Sequence, residues 1–342
     1  MRDINKFRGC LTGGAAGDAL GYAVEFMGER QIFQQFGSNG ITEYSLTGGI
    51  ALFSDDTQMS LFTADGLLMS AEDGENADIT ENIALCYRDW YITQTRRFPA
   101  EYTGKHSGLL EIPELFSPRA PGMTCLSAIE HGADGTIESP LNNSKGCGGV
   151  MRVAPIGLYF SGSKVGTDTS DMLGAKAAAL THGHELGYIP AAALVHIVRA
   201  VGESDISLIN AVNESISAVE RLFPDAGETS RMTRLLHNAA ELAYSDTDEL
   251  NAIHRLGEGW VAEETLAIAV YCSLKHESDF DKALIASVNH KGDSDSTGAV
   301  TGNILGAFLG YDAIPDKYKR SLELHGLIIR IADKLYNTPL PV

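Results

Sequence analysis

Two stripes of glycine constrain this chain more than any other feature. Gly9, Gly13, Gly17 and Gly21 recur at every fourth position, and Gly298, Gly302, Gly306 and Gly310 repeat that spacing far along the chain. A four-residue period marks one face of a helix. Each glycine inside a helix costs roughly 0.5–1 kcal/mol against alanine, so a stripe needs an offsetting gain, and close approach of another backbone supplies one. The stripes predict two buried, close-packed core helices, and their matched spacing raises the expectation that they pack against each other. Membrane helices use the same spacing. Here both segments are short and carry or abut charged residues, which argues for a globular core.

Directly before the second stripe, NHKGDSDSTGAVTG carries Asp293, Asp295 and Ser296. A matching set, Ser54, Asp55 and Asp56, stands in FSDDTQMSLF ahead of a run with helical apolar spacing. At a helix N-terminus, carboxylates meet unsatisfied N–H groups and the positive end of the dipole, worth roughly 0.3–1 kcal/mol each. Helix capping therefore explains either motif taken alone. Two such sets together supply the hard oxygen cage that Mg²⁺ or Mn²⁺ prefers, so both motifs are expected at one shared metal site.

Composition narrows the class. The 342 residues are 44% hydrophobic, enough to bury a large core. With 45 acidic residues against 26 basic ones, the net charge of -19 argues against binding a phosphate backbone, so no nucleic-acid function is expected. The five cysteines, Cys10, Cys86, Cys125, Cys147 and Cys272, are scattered without CxxC spacing, as in a reducing compartment. No signal-like segment and no apolar run of about 18 residues appears, so a cytoplasmic protein without a membrane span is expected.

Between the motifs lie further candidates. Glu25, in GYAVEF, reads either as an exposed loop carboxylate or as a partly desolvated acid or base. A helix continues from the first acidic motif until AEDGEN ends it, and another spans about Ile79 to Thr95. Residues 96–145 read as long loops around one short helix, and long ordered loops are often functional. In SKGCGGVMRV, Gly146, Gly148 and Gly149 let backbone N–H groups approach a ligand at a helix start, although a plain turn explains them as well. The segment ALTHGHELGYIP is expected to be broken by Gly183, Gly187 and Pro190 before AAALVHIVRAV resumes. His182 and His184 are two apart, which excludes an i, i+4 metal pair and leaves His182 as a ligand contact or a core histidine. Residues 202–257 read as outer helices, and Trp260 as core. ITEYSL is the best strand candidate in a chain otherwise expected to be all-α, a single domain over residues 1–342.

The pieces GDALGYAVEF, FSDDTQMSL, SKGCGGVMRV, LTHGHELGY and NHKGDSDSTGAVTG, in this order across nearly the whole length, resemble the ADP-ribosylglycohydrolases. The resemblance implies one compact α-helical domain with a dinuclear cleft holding two Mg²⁺ or Mn²⁺ ions. It implies cleavage between the distal ribose of ADP-ribose and a modified protein side chain. Carried over, Ser54, Asp55, Asp56, Asp293, Asp295 and Ser296 are implied metal ligands, and Glu25, with Asp55 and Asp56, the catalytic group. Gly146, Cys147, Gly148, Gly149 and His182 fall where such proteins contact ADP-ribose.

Within that resemblance, DSDST and THGHELGY sit closer to the arginine-directed branch, with serine-linked and O-acetyl-linked ADP-ribose as rival substrates. A fold-keeping protein without turnover is the alternative of another class, opposed by the six filled ligand positions. An immunity protein that neutralises an ADP-ribosyltransferase toxin is a third. The expected partner is an ADP-ribosylated protein, met by a monomer.

Overall fold

The computed structural model describes residues 2–74, 77–101 and 103–339, and among these the regular structure is entirely helical. The first half contains α1 (Ile4–Gly21), α2 (Glu29–Phe36), α3 (Asp55–Asp73), α4 (Ile79–Thr95), α5 (Met123–Glu130) and α6 (Ala154–Phe160). Then come α7 (Thr167–Ala179), α8 (Glu185–Glu203), α9 (Leu208–Leu222), α10 (Thr229–Ala243) and α11 (Glu249–Leu256). The last group is α12 (Ala262–Lys275), α13 (Phe280–Val288), α14 (Ser294–Leu309), α15 (Asp316–Arg320) and α16 (His325–Asn337). Polar side chains set many of the starts: Asp3, Asp78, Ser207, Asp248 and Asp279 each accept a hydrogen bond from a backbone N–H of the first turn of their helix.

The glycine stripes do meet. Helices α1 and α14 pack antiparallel, and at each stripe position one backbone lies where a side chain would otherwise stand. A Cβ placed on Gly9, Gly13 or Gly17 would come within 2.1, 2.3 and 1.9 Å of the carbonyl oxygens of Gly306, Gly302 and Gly298. Asn303 locks the register by donating from Nδ2 to the Cys10 carbonyl at 2.9 Å. Both stripes are buried, and α16, α13, α12 and α3 pack around the pair within one contiguous apolar core. The second stripe is one residue shorter than its spacing suggests. Gly310 lies past the helix end with φ +84°, where a side chain would strain the cap, so it stops α14 instead of extending it.

Other expectations need correction. ITEYSL is not a strand: no second strand exists among the described residues, and the Asn289 side chain both accepts from Ile41 N (2.7 Å) and donates to Ile41 O (2.9 Å). The break in ALTHGHELGYIP falls earlier than Gly187 and Pro190. Helix α7 ends at Ala179, His184 caps α8 by accepting from Leu186 N at 3.0 Å, and α8 then runs through both Gly187 and Pro190. Nearly every residue of α8 is buried, and that packing outweighs the hydrogen bond that proline removes. Helix α3 ends at Asp73 as expected, and the last two residues of AEDGEN lie outside the described residues.

Candidate active site

The register of the α1–α14 pair brings the end of one helix against the start of the other. A Cβ on Gly21 would lie 2.1 Å from the Ser294 carbonyl oxygen, so the chain leaving α1 turns over the N-terminus of α14. Glu25 thereby reaches the second acidic motif. One oxygen each from Glu25, Asp293 and Asp295 all fall within 4.8 Å of one another. Gly292 permits this approach, with φ +128° and no room for a Cβ, which would meet the Glu258 carbonyl at 1.9 Å. Asp293 caps α14, and Asp295 accepts from Ser296 N at 2.9 Å.

Helix α3 delivers the first motif. Ser54 is its N-cap, accepting from Asp56 N at 3.2 Å, and Asp55 and Asp56 fill the first turn. Asp55, Asp56, Asp293, Asp295, Ser296 and Glu25 line one cleft of about 290 Å³, while Ser54 is buried and not among the cleft-lining residues. The loop at residues 119–122 holds this motif from outside. Arg119 forms a two-pronged ion pair with Glu323 and donates to the Phe53 carbonyl at 2.9 Å, and Gly122 N donates to Asp55 Oδ2 at 3.2 Å. The Pro- and Gly-rich region thus has a positioning role.

One residue here escapes the sequence reading. Asp18, on α1, is fully buried and accepts from Ser54 N (2.8 Å), Thr57 N (2.9 Å) and Thr57 Oγ1 (2.5 Å). It ties the start of α3 to the glycine seam. A signal was present: Asp18 is the only charged residue between Gly9 and Gly21.

The electrostatics are those of carboxylates crowded out of water. Burial, then Asp295, Asp293 and Asp55, push the Glu25 carboxyl up to about 10. Burial and then the charge of Asp295 raise Asp18 to about 7. The same two causes carry Asp55, Asp56 and Asp293 well above the ordinary carboxylate range. Glu25 Oε2, Asp56 Oδ2 and Asp293 Oδ2 are buried without a hydrogen-bond partner. Buried unpaired oxygens are costly, and an all-oxygen donor set is what a hard divalent cation takes, so the residues fit Mg²⁺ or Mn²⁺. For Glu25 the desolvated alternative is therefore the correct one, since the residue is only 6% exposed.

The opposite wall is the glycine turn. Cys147–Gly149 forms a 3₁₀ turn, and the next helix begins only at Ala154, so these amides do not stand at an α-helix N-terminus as expected. Gly148 is small for a reason: a Cβ there would meet Cys125 Sγ at 2.7 Å and His182 Cε1 at 2.9 Å. His182 is buried and lines the cleft beside Gly146, Cys147 and Gly148, whereas Gly149 is buried and not among the lining residues. Its Nδ1 pairs with Thr181 Oγ1 at 2.8 Å, and burial, with Arg152 second, lowers it to about 3, so the ring is neutral. All five cysteines are free thiols.

Trp260 is not core. It is 41% exposed at the cleft mouth, stacked on Phe26 with ring centroids 6.2 Å apart. It precedes α12 inside a glycine-punctuated turn, where helical periodicity carries no information.

An all-helical fold that gathers buried carboxylates from two helix N-termini into one cleft defines a class of helical proteins with an acidic, metal-competent centre. The chain belongs to the ADP-ribosylglycohydrolase family, whose model matches residues 1–340. An uncharacterized protein of Archaeoglobus fulgidus is 27% identical, covering 97% of this chain and 96% of its own. Human ADP-ribosylhydrolase ARH3 is 24% identical over 94% of this chain and 90% of its own. The ADP-ribosyl-[dinitrogen reductase] glycohydrolase of Rhodospirillum rubrum is 26% identical over 92% and 90%. A solved ADP-ribosylglycohydrolase-related protein complex shares the fold at a TM-score of 0.65 and 22% identity, covering 98% of both chains. Membership supports ADP-ribosyl hydrolase activity by a glycosyl hydrolase, in a family known as metal-dependent. No helix among the described residues is long and apolar enough to cross a membrane.

Proposed function

We propose that this protein removes ADP-ribose from modified arginine side chains by hydrolysing the bond at the anomeric carbon of the distal ribose. The observation that carries the reading is the convergence of two sequence-distant acidic motifs on one cleft, with three buried carboxylate oxygens lacking partners. Asp55, Asp56, Asp293 and Asp295, with Ser54 and Ser296, would hold two Mg²⁺ or Mn²⁺ ions. Bound there, the ions would supply positive charge to orient the ribose and to activate water for attack.

The protein's own groups do the rest. Glu25 Oε2 holds a proton for the leaving nitrogen or accepts one from the attacking water, and its carboxylate favours oxocarbenium character at the sugar. The amides of Gly146, Cys147 and Gly148 accommodate the diphosphate, and neutral His182 packs against it without adding charge. Arginine is the leaving group this reading favours because the motifs DSDST and THGHELGY resemble the arginine-directed branch, and no Lys or Arg among the described residues lines the cleft to repel a guanidinium. The test is to incubate the protein and Mg²⁺ with arginine-, serine- and O-acetyl-linked ADP-ribose. Release from arginine that ceases in excess chelator is expected; preference for another linkage, or full activity in chelator, overturns the reading.

A further inference from the structure

We propose that Arg152, acting through Thr181, decides which nitrogen of His182 carries the proton, so that a neutral ring faces the cleft as a hydrogen-bond donor from Nε2 toward the diphosphate. The inference rests on the hydrolase reading and adds two positioning residues to ADP-ribose binding, neither of which lines the cleft.

Arg152 lies between the glycine turn and α6, is 0% exposed, and has no carboxylate partner among the described residues. Its guanidinium sits 4.3 Å over the Tyr87 ring, and Nη1 points at the sulfurs of Met59 and Cys125, each at 3.5 Å. Nη2 donates to Thr181 Oγ1 at 2.7 Å and to the Ala177 carbonyl at 3.1 Å, while Nε is buried without a partner. Burying a cation without an ion pair is costly, and the carbonyls at the end of α7 offset only part of that. Such a charge calls for a role beyond packing.

The direction of the hydrogen bonds supplies one. A guanidinium only donates, so Thr181 Oγ1 accepts from it. The hydroxyl hydrogen then has two acceptors in reach, the Ala178 carbonyl at 3.4 Å and His182 Nδ1 at 2.8 Å. The Ala178 carbonyl already takes Thr181 N at 3.1 Å and His182 N at 2.9 Å, which fills both its lone pairs. The hydroxyl therefore donates to Nδ1, and the proton of the neutral ring resides on Nε2. The opposite tautomer would aim two donors, one of them cationic, at a single hydroxyl oxygen.

Nε2 has no hydrogen-bond partner among the described residues and lies against the glycine turn, since a Cβ on Gly146 or on Gly148 would stand 3.3 Å from it. Diphosphate oxygens only accept. An Nε2–H thus adds to the backbone N–H groups of the turn, whereas an Nε2 lone pair would repel the ligand.

The test uses the full chain with Mg²⁺ and takes ADP-ribose as the probe. Long-range hydrogen–nitrogen NMR spectra of protein with isotope-labelled histidine report the tautomer of each of the 10 histidines, and the His182 signals are those lost in His182→Gln. Affinity for ADP-ribose is read by calorimetry on wild type, Thr181→Val, Thr181→Ser and Arg152→Met. Wild type should carry the proton on Nε2. Thr181→Val should show both tautomers and bind ADP-ribose roughly 10- to 100-fold more weakly, as for a lost hydrogen bond to a charged group. Thr181→Ser, which restores the hydroxyl, should keep both the tautomer and most of the affinity. Arg152→Met should also show both tautomers; where it fails to fold, the Thr181 pair alone decides. A proton on Nδ1 in wild type, a Thr181→Val protein with a lower melting temperature but an unchanged tautomer, or a Thr181→Ser protein as weak as Thr181→Val overturns the relay alone. Wild type that binds no ADP-ribose overturns the hydrolase reading and the relay with it.

Discussion

The α1–α14 seam and the cleft at its end are built from the same two helices and follow opposite rules. Along the seam the atoms nearest Gly9, Gly13 and Gly17 are uncharged, backbone lies on backbone, and Asn303 satisfies the carbonyl it faces. One turn further on, Asp293 and Asp295 start α14 and Glu25 follows α1, all buried, with an oxygen of Glu25 and one of Asp293 left without partners. The seam is optimised for the folded state as it stands. The cleft is optimised for the folded state with a ligand in it, and without one its carboxylates repel. Stability and function are thus separated along a single helix pair.

The largest effect that would break this contrast concerns the cleft. Asp56→Ala and Asp295→Ala should abolish turnover on ADP-ribosylated arginine while leaving the helical content intact. In chelator both should melt at or above the wild-type temperature, because removing one charge relieves repulsion. Mg²⁺ or Mn²⁺ should raise the wild-type melting temperature by mass action and the variants' far less. Near wild-type turnover in either variant would remove these residues from the chemistry.

On the seam, Gly302→Leu should cost roughly 1–3 kcal/mol or more in a denaturant titration, since its Cβ alone would sit 1.9 Å from the Gly13 carbonyl oxygen. A neutral result would mean that the helices separate freely. Asp18 sits between the two regimes, one helix holding the acidic start of another. Asp18→Asn keeps the shape but presents an N–H₂ where N–H and O–H donors point. Metal affinity, read by calorimetry, should fall about 10- to 100-fold, as for groups that orient ligands. An unchanged affinity would reduce Asp18 to a packing residue.

A smaller effect is expected from pH. Glu25 and Asp18, raised to about 10 and about 7 by burial and neighbouring charge, keep protons that the unfolded chain sheds at ordinary carboxylate values. Their contribution to stability is full below a pH of about 4 and drains as pH rises through 7 toward 10. In chelator the protein should therefore melt lower at pH 8 than at pH 5, and saturating Mg²⁺ should shrink the gap. A metal-free protein more stable at pH 8 would contradict the crowding described here.

What the sequence reveals and conceals follows this contrast too. Glycine periodicity and paired acidic motifs are legible because each is a repeated demand on one helix face or terminus. The helix at Ile79–Thr95 is read to the residue, since Asp78 caps it and the apolar period is regular. Asp18 is harder to read because its partners, Ser54 and Thr57, are brought to it only by tertiary packing. Trp260 misleads for the opposite reason: bulk alone suggests core, and only the glycine-punctuated turn turns it outward. Pro190 suggests a break by local rule, and the burial of α8 overrides it.

The seam also sets a timetable. It joins residues 4–21 to residues 294–309, so α1 leaves the ribosome long before its partner exists. At about 5–20 residues per second, the wait lasts on the order of 15–60 s. Throughout that interval a helix weakened by its own glycines lacks the backbone that fits its glycine face, and Glu25 lacks Asp293 and Asp295. A nascent chain is therefore unable to assemble the cleft from its early segments, and the centre forms late, in the same closing step that completes the core.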